Sequence, residues 1–207
     1  MRNRLRAYLA VSSVFLLWGC KELQPFLVEA GYVHDLGDFK VERVEFVPEM
    51  PPFGHSWERS NYLKIALSSS RKLSDDYPTY WVGVGADFCP LEDDRKLISL
   101  GVVDDRGISV DKDEREPVKK FSDGLYHYQV FVVPAHPLPG KDLDDYAFPP
   151  EGEYAQQKYN IVENGNDICL QVVGGDHYHV FARSAIIRVD FKAIRIAAEA
   201  AENKTGP

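Results

Sequence analysis

Two histidines in the second half of the chain have the spacing of a metal-binding pair. His177 and His179 are two residues apart, so their imidazoles would lie on one face of a β-strand. Imidazole binds Zn or Cu well, but a protein zinc site takes three or four ligands. His127 and His136 are candidates for a third ligand that the sequence alone does not bring close. We favour the alternative, a polar strand face beside a Gly-Gly turn, and therefore expect no metal and no other cofactor.

The motifs of several enzyme classes are missing from the sequence. It contains no H-E-x-x-H zinc-protease motif, no G-x-S-x-G nucleophile elbow and no Gly-rich phosphate loop. Carboxylates cluster at 92–94, 111–116 and 142–145, and paired carboxylates can act as general acid and base. Lysines and arginines lie among these acids or beside them, which is typical of a solvated surface. The sequence therefore predicts that the protein is not an enzyme.

The first twenty residues have the organisation of a lipoprotein signal peptide. Residues 2–6 carry three arginines and no acid, and residues 7–18 form an apolar run. This run suits a signal-peptide core, whereas a permanent membrane helix takes about twenty residues. The tetrad 17–20, Leu-Trp-Gly-Cys, resembles the bacterial lipobox, with Trp18 where a small residue is usual. We expect cleavage before Cys20 and a lipid on its thiol; an uncleaved anchor is the alternative.

The residue after the lipidated cysteine bears on where the protein resides. Lys21 follows Cys20, and a residue other than Asp at this position implies sorting to the outer membrane in Gram-negative lipoproteins. More than one acyl chain is needed for stable attachment, which a triacylated cysteine provides. We therefore expect the folded part to be anchored on the periplasmic face of the outer membrane.

The two remaining cysteines are an even pair. With Cys20 lipidated, Cys89 and Cys169 are left in an oxidising compartment, where disulfides persist. A bridge across a loop of about 80 residues would stabilise the fold by roughly 4 kcal/mol. Two separately buried thiols are the alternative, because free cysteine packs as a small hydrophobic residue. We predict the disulfide.

Composition indicates a folded, acidic chain. Hydrophobic residues make up 44% of the 207 residues and charged residues 27%, a balance typical of a globular protein. The formal net charge is −8, and loss of the three leader arginines changes it to −11. A nucleic-acid partner is not expected, because phosphate binding requires a basic face.

Aromatic and β-branched segments separated by turn signals predict an all-β fold. Segment 125–133 has apolar residues on both faces, which predicts a central strand. Segment 39–46 alternates with one change of phase, which predicts a bulge. The predicted strands are 39–46, 62–67, 80–85, 97–103, 125–133, 159–162, 168–173, 178–182 and 186–191. About nine strands with no helix between them favour an antiparallel β-sandwich.

The rest of the chain completes the predicted domain organisation. Five prolines lie in segment 134–157, which predicts a loop crossing the surface. Residues 192–202 favour a short terminal helix by composition. We therefore expect a signal peptide at 1–19, a lipidated tether at 20–38 and a β-sandwich domain at 39–207.

Short motifs in the second half resemble those of type VI secretion immunity lipoproteins. Residues 166–170 (NDICL), the glycine pair 174–175 and residues 181–189 (FARSAIIRV) are similar to the last strands of that family. Segment 123–133, which begins D-G-L-Y, looks like its central strand. Together with the lipobox, the similarity covers about half the chain, and the Pro-rich insertion 134–157 departs from the compact family pattern. The resemblance implies a periplasmic β protein that neutralises a toxic effector such as a phospholipase.

Taken with the lipobox, this resemblance predicts a membrane-anchored immunity lipoprotein whose partner is its cognate toxin. The contact residues predicted are those of the Pro-rich loop that combine charge with an aromatic ring: Asp142, Asp144, Asp145 and Tyr146. The alternative is a non-catalytic structural or accessory lipoprotein of an envelope or secretion machine. A periplasmic enzyme or metal protein is a third class, which metal analysis of the purified protein would test.

Overall fold

The structure is a computed structural model and describes residues 34–48, 62–73, 81–91, 97–110, 120–136, 158–175 and 180–204. These ranges contain eleven strands and two helices. The strands are β1 (His34–Asp35), β2 (Lys40–Val47), β3 (Tyr62–Ser69), β4 (Trp81–Phe88), β5 (Ser99–Asp104), β6 (Tyr126–Val132), β7 (Ala135–His136), β8 (Tyr159–Asn160), β9 (Ile168–Gly175), β10 (Val180–Arg183) and β11 (Ile187–Val189). The helices are α1 (Ile161–Asn164) and α2 (Phe191–Lys204).

The first sheet is built around β9. Strand β4 pairs antiparallel with β9 along the whole of both strands, from Trp81 opposite Gly175 to Phe88 opposite Ile168. Because a strand has only two edges, β10 and β11 share the other edge of β9, and β1 pairs with β10. Ser184 bridges the gap between β10 and β11, since its hydroxyl accepts the Val172 N–H at 3.0 Å.

The second sheet has the order β2-β3-β6-β5, with every neighbouring pair antiparallel. Strand β6 lies between β3 and β5, so the prediction of a central strand there is confirmed. The register of β2 on β3 shifts between Val41 and Arg43, which confirms the predicted bulge. Together the two sheets and the C-terminal helix confirm the predicted all-β sandwich.

Two of the places where the chain passes between the sheets are described in the structure. Residues 36–39 lead from β1, at the edge of the first sheet, into β2 of the second. After β4, the Leu97 N–H donates back to the Ala86 carbonyl of that strand at 3.2 Å, and β5 of the second sheet begins two residues later. Apolar side chains from both sheets and from α2 are buried in one cluster that includes Ile65, Val130, Leu170 and Ile194.

Strand β6 has buried apolar residues on both faces, as the sequence predicts. Its Val130 and Val132 belong to the main core, whereas Phe131 belongs with Tyr62 and Val103 to a second buried cluster. Because side chains alternate along a strand, these two clusters lie on opposite faces of the second sheet.

The expectation of a strand at 159–162 with no helix between strands is wrong. Strand β8 is only two residues long, and α1 follows it directly. The Asn160 side chain accepts the N–H groups of Val162 and Glu163, and Gly165 ends the helix with φ +78°. These two caps satisfy the ends of a single helical turn, which outweighs the β propensity of the local residues.

Strands β7 and β8, on either side of residues 137–157, lie next to each other. Ala135 is opposite Asn160, and His136 is opposite Tyr159. The Tyr159 hydroxyl also accepts the Ile98 N–H at 3.1 Å. This short strand pair is therefore connected to the residue that precedes β5.

Candidate functional site

The predicted disulfide is present. Cys89 follows β4, Cys169 lies in β9, and their Cα atoms are 5.0 Å apart. The Cys89 N–H donates to the Asp167 carbonyl at 2.9 Å, so the end of β4 is also fixed to the start of β9 by the backbone. Cys169 is 6% exposed. The bridge therefore connects the central strand of the first sheet to its neighbour, and the prediction is confirmed.

The other predicted site residues lie outside the described residues. These are the lipid attachment site Cys20, the loop residues Asp142, Asp144, Asp145 and Tyr146, and the histidines His177 and His179. Of the predicted segments, 1–19 lies outside entirely, and 20–38 is described only from His34, where β1 begins. The lipidation and the loop contacts therefore remain predictions.

A polar row crosses the outer face of the second sheet near one end. Lys40 of β2 is opposite Ser68 of β3, and Ser68 is opposite His127 of β6. Directly opposed residues project from the same face of a sheet, so the three side chains form a row. The row borders the turn at 121–124 that precedes β6. We call the residues Lys40, Glu42, Ser68, Phe121, Asp123 and His127 the His127 patch.

The turn before β6 is held by backbone hydrogen bonds. The Gly124 N–H donates to the Phe121 carbonyl, and the Phe121 N–H donates to the Leu125 carbonyl, both at 2.9 Å. Gly124 has φ +81°, a conformation that glycine adopts without a steric cost. Asp123 Oδ1 accepts the Leu125 N–H at 2.9 Å. The turn therefore presents Phe121 and Asp123 in a fixed geometry.

Asp123 and Phe121 both contact the His127 ring. The Nε2 atom of His127 lies 3.0 Å from Asp123 Oδ2. The Phe121 and His127 ring centroids are 4.6 Å apart, with the ring planes at 80°. An edge-to-face contact of this kind is a favoured aromatic arrangement. The imidazole is therefore oriented from two sides, by a carboxylate and by an aromatic ring.

The two carboxylates of the patch are stabilised in their charged forms. The Leu125 N–H hydrogen bond, with a smaller contribution from His127, lowers the pKa of Asp123 below its ordinary value. The Ser68 hydroxyl, 2.7 Å from Glu42 Oε1, and the Lys40 ammonium, 3.1 Å from it, lower the pKa of Glu42. Both groups are therefore anions at neutral pH.

This arrangement is suited to binding rather than to nucleophilic attack by Ser68. The Ser68 hydroxyl donates its one proton to the Glu42 carboxylate, which Lys40 also contacts. Ser68 is also only 3% exposed. Phe121, in contrast, is 38% exposed, and the Asp123 side chain is 48% exposed. Besides the exposed Lys40 ammonium, the patch therefore presents an aromatic ring next to a fixed carboxylate.

Sequence reasoning considered His127 only as a third metal ligand and did not single out Phe121 or Glu42. The structure instead pairs His127 with Asp123, in the Asp-Gly turn that the sequence does indicate. No group of three or more His, Cys, Asp or Glu side chains positioned to hold a metal occurs within the described ranges. The spacing of Asp123 and His127 was one signal of this contact, because a turn before a strand can bring residues four apart in sequence close together.

Two further findings concern membrane helices and similarity to known proteins. Among the helices of the described part, none is long and apolar enough to cross a membrane. Comparison of the chain with models of protein families, with curated proteins and with solved structures finds no match.

Proposed function

We propose that this chain is a lipid-anchored periplasmic immunity protein that binds and neutralises a toxic effector of a type VI secretion system, with a lipase-type toxin as the effector class. The observation that carries the proposal is the disulfide between Cys89 and Cys169. Disulfides persist in oxidising compartments and are rare in the cytosol. The bridge therefore supports export, independently of the lipobox at Cys20, and the resemblance at 166–189 supports the immunity role.

An immunity protein must present a rigid surface to its toxin and needs no reacting group of its own. A standard interface buries about 1,600 Å2, and a few aromatic or charged residues supply most of its binding energy. The His127 patch has a hydrogen-bonded turn, a half-exposed aromatic ring and a fixed carboxylate, which are features of such a surface. The predicted net charge of −11 after loss of the leader would attract a basic toxin face and speed association.

The lipid anchor would place this surface where a lipase-type toxin acts. Two or more acyl chains on Cys20 hold a protein stably on a bilayer without a membrane helix. A toxin that reaches the periplasm to attack phospholipids would meet the inhibitor at the membrane surface. We therefore expect anchoring to raise the local concentration of inhibitor rather than to create the binding site.

Co-expression tests this function. The product of the adjacent effector gene, directed to the periplasm, is expressed with the wild-type chain, with Cys20→Ser, or with no partner. We expect cells to survive with the wild-type chain and to die without it. Cys20→Ser should lose its lipid, as measured by mass spectrometry, and move to the soluble periplasm, while purified Cys20→Ser should still bind the toxin.

Two outcomes would contradict the proposal. Equal killing with and without the wild-type chain would reject the immunity role and favour the structural-lipoprotein alternative. Membrane attachment of Cys20→Ser with an unchanged mass would reject the lipid anchor, whatever the result of the toxicity assay.

A further inference from the structure

We propose that the His127 patch is the contact face for an arginine side chain of the toxin, which would pair with Asp123 and stack on Phe121. This inference rests on the proposed function and adds to it the chemistry of the partner at one site. It is carried by the exposure, geometry and charge of described residues.

Phe121 has the properties of an interface anchor. Three large hydrophobic side chains are exposed within the described residues, Phe121, Ile186 and Ile196, and Phe121 is the aromatic one. Aromatic side chains are enriched among the residues that dominate binding energy, because they bury a large area at a small cost in conformational entropy. The edge-to-face contact with His127 also limits the positions available to the Phe121 ring. The Phe121 side chain therefore loses little further conformational freedom when a partner binds.

Asp123 supplies a fixed anion with spare acceptor capacity. Its Oδ1 atom accepts the Leu125 N–H, and its Oδ2 atom contacts His127. A carboxylate has about four lone-pair sites, and these two contacts leave acceptor capacity on the group. With the side chain 48% exposed, these sites are open to a partner group.

Lys40 limits how basic the partner surface can be. It belongs to the patch, its side chain is 76% exposed, and it lies 3.1 Å from Glu42, so it would repel a densely basic surface placed over it. Asp123 is the more exposed of the two carboxylates of the patch, at 48% against 35% for Glu42. We therefore expect one inserted cationic side chain at Asp123 rather than a lysine-rich segment.

Arginine fits this combination better than lysine. Its planar guanidinium stacks on an aromatic ring and donates two parallel hydrogen bonds to a carboxylate, whereas an ammonium does neither as well. Phe121 and Asp123 are two residues apart in one turn, so one planar group can reach both. The inferred contact is thus a guanidinium over Phe121 with its edge on Asp123.

Calorimetric titration tests the patch. The probe is the purified product of the adjacent effector gene, and the protein is the lipidated full chain in detergent, as wild type, Phe121→Ala, Asp123→Asn and Ile186→Ala. Ile186 is 54% exposed and immediately precedes β11 of the first sheet, so Ile186→Ala is a matched truncation of an exposed hydrophobic residue elsewhere. We expect Kd to rise at least tenfold for the two patch variants and less than twofold for Ile186→Ala.

Folding and binding effects can be separated. Asn keeps an oxygen that accepts the Leu125 N–H, so Asp123→Asn should preserve the turn, and circular dichroism melting curves check that every variant is folded. If the wild-type chain binds and both patch variants bind within twofold of it, the patch assignment is wrong while the proposed function stands. If the wild-type chain does not bind the effector, the proposed function itself is wrong and this inference with it.

A double-mutant cycle tests the arginine. Each exposed arginine of the effector is changed to alanine and combined with Asp123→Asn. The inference requires one arginine whose loss costs little further affinity once Asp123 is neutralised, because the pair is already broken. Additive effects for every effector arginine would overturn the guanidinium contact.

Discussion

Asp167 connects three parts of the sandwich through one residue. Its Oδ1 atom accepts the Phe191 N–H at the start of α2, its Oδ2 atom accepts from Arg188 of β11, and its backbone carbonyl accepts from Cys89. The Phe191 hydrogen bond and, after it, the Arg188 guanidinium lower the pKa of Asp167 below its ordinary value. The charged form of this carboxylate therefore stabilises the folded state.

Asp167→Asn should make the protein less stable at neutral pH and remove part of its pH dependence. A carboxylate whose pKa is lower in the folded state contributes stability above its unfolded pKa, about 3.9, and loses it as the pH falls through the folded value. Urea unfolding from pH 7 to pH 2.5 should therefore show the wild type converging on Asp167→Asn at low pH.

Arg188→Gln is the matched variant for this prediction. It removes the second cause of the lowered pKa and keeps the Phe191 hydrogen bond, so it should retain most of the acid dependence. Parallel stability curves for wild type and Asp167→Asn across the whole pH range would contradict the role assigned to the carboxylate.

At the scale of elements, α1 exists because both of its ends are capped. Asn160 Oδ1 accepts the Val162 N–H at 3.1 Å and the Glu163 N–H at 3.4 Å. Gly165 has φ +78°, and a Cβ atom at this position would meet nothing within 4 Å. The constraint on Gly165 is therefore the backbone conformation rather than space.

Gly165→Ala should lower the free energy of unfolding by about 1 kcal/mol, because alanine adopts a left-handed conformation at a cost that glycine avoids. Gly165→Asn is the control, since asparagine tolerates this conformation better and should cost about half as much. Urea unfolding measures both. Equal stability of the alanine variant and the wild type would mean that the left-handed cap is not needed.

At the scale of the whole molecule, one covalent bond connects distant parts of the chain. Cys89 and Cys169 are 80 residues apart in sequence and adjacent in the first sheet. The bond reduces the number of conformations open to the unfolded chain and so stabilises the folded state. This stabilisation grows slowly with the length of the closed loop.

The double variant Cys89→Ser, Cys169→Ser should be less stable than the wild type by roughly 2–4 kcal/mol. Changing both cysteines avoids a free thiol that could form wrong bridges. Thermal unfolding should show a lower Tm for the double variant, and reduction of the wild type should lower its Tm to a similar value. An unchanged Tm in both cases would mean that the bridge does not stabilise the domain.

Much of the local structure follows from the sequence alone. Period-two alternation and turn residues predict most strands, the bulge in β2 and the central position of β6, because side-chain alternation and glycine or proline signals act over a few residues. The pairing of Cys89 with Cys169 was also predictable, since only two cysteines remain once Cys20 is set aside as the predicted lipidation site. These features need no knowledge of which strand lies next to which.

Strand neighbours and the His127 patch were decided by the tertiary structure. Periodicity indicates which residues share a face, but β4 pairs with β9 because burial of their apolar faces favours partners that are 80 to 94 residues apart in sequence. The patch likewise draws Glu42, Ser68 and His127 from three strands that only sheet pairing brings together. Local sequence could not distinguish His127 as a metal ligand from His127 as the partner of Asp123 and Phe121, because that choice depends on what folds against the ring.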